Sequence, residues 1–156
     1  MVDKKSPENL GKDSHSDEEI TEMLKLRNVA VIGISRDPTK ASHYVPKYLK
    51  EHGYHIMPVN PFAQEILNLR CHRSLLDVEE PVDIVDVFRP SENVPSVIDE
   101  AIEKKVRIIW LQEGIHNPES EENAIRHGLG VIWNRCMMKE HARLYGGKPR
   151  ISLSGR

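Results

Sequence analysis

The chain has 156 residues, of which 38% are hydrophobic and 29% charged, with a formal net charge of −2. That is the balance of one ordinary water-soluble domain, long enough to bury a core. The near-neutral charge and the 5% aromatic content argue against a nucleic-acid or anionic-membrane surface and against a base-stacking platform.

Residues 1–16 are polar and charged and read as a disordered tail without the apolar stretch of a signal peptide. Ser16 is expected to cap a helix over 17–27, with Glu19 at the capping-box position and Ile20, Met23 and Leu24 on one stripe. "VAVIGI" (29–34) is continuously apolar, as a strand covered on both faces would be. "SHYVPKYLKEHG" (42–53) reads as a helix ending at Gly53, with Pro46 tolerated in its first turn. "YHIMPVNP" (54–61) is a second strand closed by Asn60-Pro61. The next stretch predicts a short connection, a brief strand at 70–72 and a helical turn at 75–78.

A third strand runs over 82–88 and stops at Pro90. Residues 91–105 form a helix with Val94, Val97, Ile98, Ala101 and Ile102 on one face. "VRIIWLQEG" is the fourth strand. The helix over 117–128 has Asn117 as cap, Pro118 at its first position and Gly128 after its end. "LGVIWNR" is a last strand, and 136–147 a terminal helix; Trp110 and Trp133 fall inside apolar strands and read as core. Strands alternating with helices predict an α/β fold. We expect a Rossmann-like, doubly wound, mostly parallel sheet of about five strands with helices on both faces, spanning 17–146, and a polar tail over 147–156.

In such a sheet a ligand binds beyond the carboxyl ends of the strands, where strand order reverses. Gly33 lets the chain turn close to a ligand, Ser35 offers a hydroxyl and a backbone N–H, and Arg36 and Lys40 add charge. Ser42 and His43 start a helix, where free amides favour anions. A plain strand–loop–helix corner is the competing reading. The second strand ends on Asn60 where a nicotinamide-dinucleotide fold places an acid, and no GxGxxG follows the first strand; both argue against NAD. Phe88 can pack on a ring or a pantetheine arm, or belong to the core; Arg89 can hold a phosphate, or pair with Asp86. Glu113 is a candidate base with no nucleophile spaced beside it. Cys136, next to Arg135 and a helix start, is either an activated thiol or a buried hydrophobe. The two cysteines form no CxxC pair and the eight histidines no HxH, HxxxH or HExxH unit, so no metal site is indicated. Two free thiols fit the cytoplasm.

Four segments in order, "VAVIGISRDPTKASHYVPKYLKEHGYHIMPVNP", "EPVDIVDVFRPSENVP", "IIWLQEGI" and "NRCMMKEHARLYG", resemble the small single-domain CoA-binding proteins. These in turn resemble the CoA-binding domain of the succinyl-CoA synthetase α subunit, over roughly residues 20–146. The resemblance implies that Gly33, Ile34, Ser35, Arg36, Lys40, Ser42 and His43 surround the CoA phosphates. It implies Asn60 and Pro61 at the adenosine end, with Phe88 and Arg89 beside them. Gln112, Gly114, Asn134, Arg135 and Cys136 would lie towards the pantetheine arm. A binding module for CoA or an acyl-CoA, with no reaction of its own, is the expected function. The alternatives are a component of a CoA transferase or ligase, a CoA-thiol redox role through Cys136, and an NAD(H) redox sensor.

Overall fold

A computed structural model describes residues 15–146. The expected tails therefore lie outside the described residues, except for His15 and Ser16. His15 is buried edge-on against Trp133, ring centroids 4.4 Å apart. Ser16 caps α1 (Asp17–Met23), its hydroxyl accepting from the Glu19 amide at 3.0 Å. The helix is one turn shorter than its sequence pattern suggests.

The elements that follow are β1 (Asn28–Ile32), α2 (Ala41–Glu51), β2 (His55–Val59), β3 (Glu65–Ile66), β4 (Leu69–Arg70) and a 3₁₀ turn at Leu75–Asp77. Then come β5 (Ile84–Val87), a 3₁₀ turn at Ser91–Asn93, α3 (Val94–Lys104), β6 (Ile108–Leu111), α4 (Pro118–Arg126), β7 (Gly130–Ile132) and α5 (Met137–Tyr145). The main sheet is five-stranded in the order β2-β1-β5-β6-β7, and every neighbouring pair is parallel. β3 and β4 form a separate antiparallel hairpin, and His72 bridges back to Val59.

Strand residues alternate between two cores, as the two-residue period of a strand requires. Val29 and Val31 of β1 face one core with Leu24, which follows α1, and with Val45 and Leu49 of α2 and Met137 of α5. Ala30 and Ile32 face the other with Val97, Ile98 and Ala124, from α3 and α4. This is the two-sided α/β layering expected of the alternating pattern.

Pro46 does not sit in the first turn of α2. It lies inside the helix and is buried. A proline there cannot donate to the carbonyl four residues back, which is Ser42. That carbonyl accepts from the Ser35 amide instead, at 3.1 Å, and so fastens the loop after β1 to the helix. Among the described residues no helix is long and apolar enough to cross a membrane.

Candidate functional site

The chain leaves β1 for β2 on one side and later returns to β5 on the other, so the order reverses between β1 and β5. Gly33 ends β1 with φ +86°, and a Cβ built there would lie 2.6 Å from the Phe88 carbonyl oxygen at the end of β5. Only glycine allows the two strand ends to approach this closely. Two adjoining clefts open above them, sharing Phe88, Arg89 and Pro90.

The larger cleft, about 430 Å³, lies between the first turns of α2 and α5. Ala41, Ser42, Tyr44 and Val45 form one wall, and Cys136, Met138 and Lys139 the other. Gln112 lines it with Phe88 and Arg89. The smaller cleft, about 280 Å³, runs over Gly33 and Ile34 to Asn60, Pro61 and Phe62.

α2 begins on Lys40 in extended backbone with no side-chain cap and no acid in its first turn. The His43 and Tyr44 amides reach the Lys40 carbonyl at 2.9 and 3.0 Å. The Ala41 and Ser42 amides have no partner among the described residues. Free amides at a helix start attract anions.

Ser35 does not offer its N–H, which is held by Ser42. Its hydroxyl accepts from the Asp37 amide at 3.0 Å, and its carbonyl accepts from His43 Nδ1 at 2.7 Å. Asp37 in turn takes the Thr39 amide and hydroxyl, which hold its carboxyl below the usual range. Arg36 and Lys40 are exposed on this loop beside, not inside, the clefts.

The Asn60 amide group is engaged at both ends. Nδ2 donates to the Ile34 carbonyl at 2.9 Å, and Oδ1 accepts from the Phe62 amide at 2.7 Å. It ties the ends of β1 and β2 together, the turn role of the residue type. Asn134, Gly114 and Arg135 likewise fasten strand ends. Asn134, at φ 56°, accepts from the Gly114 amide at 2.7 Å, and Arg135 pairs with Glu140 at 2.7 Å. None of these three lines either cleft. Glu113 is bridged to Lys139 at 3.2 Å across the rim.

Cys136 is the N-cap residue of α5 and 5% exposed. Burial pushes its thiol above the usual range, against the opposing pull of the Lys139 and Met138 amides. With Arg135 turned to Glu140, the expected lowering by that cation does not operate.

Asp86 does not pair with Arg89. It is fully buried on β5, facing Val31 and Trp110, and its Oδ1 accepts a short hydrogen bond from Gln112 Nε2. Its Oδ2 has no partner among the described residues, and burial lifts its carboxyl to about 7 against the lowering effect of Gln112. The neighbouring Asp83 accepts from the Asn28 amide at 3.1 Å and so pins the start of β1.

Strand-end reasoning missed Tyr44, Phe62, Met138 and Lys139. Met138 and Lys139 were open to inference from the helix start after Cys136. Phe62, 87% exposed, carries no sequence signal beyond its place after Asn60-Pro61. Among the described residues no group of three or more His, Cys, Asp or Glu side chains is placed to hold a metal ion.

The profile of the CoA binding domain family matches residues 27–142. The chain is 38% identical over 125 residues to the uncharacterized protein YneT of Bacillus subtilis, covering 80% of this chain and 93% of that one. It is 32% identical over 149 residues to an ADP-forming acetate–CoA ligase of Methanocaldococcus jannaschii; the match takes in 83% of this chain but only 21% of the ligase. Among solved structures, a hypothetical protein from Pyrococcus horikoshii superposes with TM-score 0.84 at 36% identity, over 93% of this chain and 100% of that one. A dinucleotide-forming acetyl-coenzyme A synthetase of Ca. Korarchaeum cryptofilum superposes with TM-score 0.61 at 30% identity, over 69% of this chain and 25% of the synthetase.

Proposed function

The chain belongs to the CoA-binding domain family, and we propose that it binds coenzyme A or an acyl-CoA along the carboxyl edge of its sheet, with no reaction of its own. The observation that carries the reading is the uncapped start of α2, whose Ala41 and Ser42 amides open beside the cleft at the strand-order reversal. Diphosphate oxygens take those amides, with Arg89 beside them, Arg36 and Lys40 supplying outer charge and His43 bracing the loop through the Ser35 carbonyl. The adenosine lies over Asn60, Pro61 and the exposed Phe62 ring. The pantetheine arm crosses Phe88 towards Gln112 and Cys136, the apolar part of the larger cleft.

The absence of chemistry follows from the two groups best suited to it. Glu113 stands on the exposed rim, paired with Lys139 and with no nucleophile beside it, and burial favours the protonated Cys136 thiol. Only the thiolate is a good nucleophile. Cys71 and Cys136 are both free thiols, which suits a reducing cytoplasm, where we place the protein.

Thermal shift with CoA, acetyl-CoA and NADH tests the reading. A ligand that binds only the folded state raises the melting temperature with its concentration. We expect CoA or acetyl-CoA to do so and NADH not to. Calorimetry on Arg89→Ala should show CoA weakened by roughly tenfold, the size of a lost charged hydrogen bond. The exposed Arg36 and Lys40 should matter less, since water and salt screen them. A shift with NADH alone would end the proposal.

A further inference from the structure

Gln112 is 4% exposed and lines the larger cleft between Phe88 and Cys136. Behind it, out of reach of the cleft, stands Asp86, 0% exposed. A side-chain amide can present either its oxygen or its NH₂ to a ligand, and the partner behind it decides which. An ionised carboxylate only accepts. Above pH 7, where it is ionised, Asp86 therefore holds Gln112 with Nε2 turned inward, which leaves the carbonyl oxygen, Oε1, for the cleft.

We propose that Asp86 is a positioning residue that makes Gln112 select the state of the CoA sulfur: the cleft favours CoA with a free thiol and disfavours thioesters. This rests on the CoA-binding reading above, with the pantetheine arm running towards Gln112. A thiol can donate to Oε1. A thioester carries a carbonyl at the same place, so two acceptors would face each other with no proton between them. The S–H group is a weak donor, so most of the discrimination comes from that repulsion.

A second observation points the same way. Asp86 Oδ2 is buried with no partner among the described residues, which is costly for stability. Asparagine would fill the same space without a charge. It could not enforce the orientation, because its own amide meets Gln112 with either end.

Calorimetry at pH 8, above the titration of Asp86, compares CoA, acetyl-CoA and dephospho-CoA on the parent, Asp86→Asn and Gln112→Leu. The parent should prefer CoA by roughly tenfold. In both variants the ratio should fall to within about twofold, while the dephospho-CoA penalty, read at the other end of the ligand, stays that of the parent. A general loss of structure would weaken all three ligands together and leave the ratio in place. Equal affinities in the parent, or a preference for CoA that survives in both variants, would overturn the inference and leave CoA binding standing. No binding of either ligand to the parent would overturn the CoA-binding reading and this inference with it.

Discussion

Two strands end at the same edge of the sheet and are followed by glycines of almost the same backbone angle, φ +86° at Gly33 directly after β1 and +83° at Gly114 three residues after β6, and each leads through a loop into a helix. The loop after β6 satisfies itself. The Gly114 amide is taken by Asn134, and α4 begins on Asn117, whose Oδ1 accepts from the Ser120 amide at 3.1 Å. Pro118 and two acids complete its first turn, and the buried Glu121 turns back to the Asn117 amide at 2.6 Å. The loop after β1 does the reverse. Gly33 is pressed against Phe88, the chain is fastened by Ser35 to Ser42, and α2 starts without a cap, without an acid and beside a cleft. A helix start that closes on its own side chains is a structural corner. One held rigidly in place with amides left over suits a negatively charged ligand.

The largest effect concerns the strand between the two loops. The Asp86 carboxyl is lifted from 3.8 to about 7 in the folded protein. Below pH 4 it is protonated in both folded and unfolded chains and has no effect. Between pH 4 and 7 the unfolded chain ionises it while the fold resists, so stability falls with rising pH; above 7 the loss levels off. Roughly three pH units correspond to about 4 kcal/mol. Denaturant melts of Asp86→Asn against the parent should show a difference in stability that grows by that order from pH 4 to 7, in favour of the variant. A difference independent of pH would mean that Asp86 is not the buried, strained group described here.

The glycines come next. Gly33→Ala forces a methyl group into the Phe88 carbonyl and also strains the backbone, and should cost about 3 kcal/mol or more. Gly114→Ala meets nothing within 4 Å and should cost only the backbone strain, about 1–2 kcal/mol. CoA titration of both variants should show binding lost in the first and kept in the second. Similar losses in both would erase the distinction between the loops.

Much of this architecture could be read from the residues, and the exceptions have physical causes. The strands of the main sheet are mainly apolar runs, broken in β5 by Asp86, and α3 and α4 carry clear helical periods, so element order and layering follow. The β3–β4 hairpin could not be drawn in full because its two-residue strands are too short to show a period. Pro46 reads as a first-turn residue because its missing N–H usually excludes it from a helix interior. Only the fold supplies Ser35 as the donor that replaces it. At the site, strand-end reasoning reaches Gly33, Phe88, Arg89, Gln112 and Cys136, which line the clefts. It cannot separate these from Asn134, Gly114 and Arg135, which occupy equivalent positions but bond to neighbouring structure. Asp86 was invisible as a buried group because its burial depends on register, which sets it between Val31 and Trp110.

The cap of α4 offers a smaller effect. Asn117→Ala removes the side-chain acceptor for Ser120 and the donor to the Ser91 carbonyl, and should lower stability by about 1–2 kcal/mol. Because neither Asn117 nor the first turn of α4 lines either cleft, CoA affinity should not change. A coupled loss of affinity would show that the two loops act as one unit.

The smallest effect on stability is the sharpest test of the difference between the loops. Lys40 already has the extended backbone of an N-cap residue, φ −96° and ψ 145°. Lys40→Asp gives α2 the kind of cap that α4 has, a side-chain oxygen placed to accept from the first-turn amides. If those amides are merely unused, the variant gains about 0.5–1 kcal/mol of stability and binds CoA nearly as before. If they hold a diphosphate, stability rises by the same small amount while CoA binding drops by roughly tenfold or more, because the new carboxylate takes the amides and repels the anion. Lys40→Asn separates the two contributions, since it caps without charge. It should retain the stability gain and lose less affinity than the aspartate. An affinity unchanged in both variants would locate the phosphates away from the start of α2, whatever the remainder of the cleft binds.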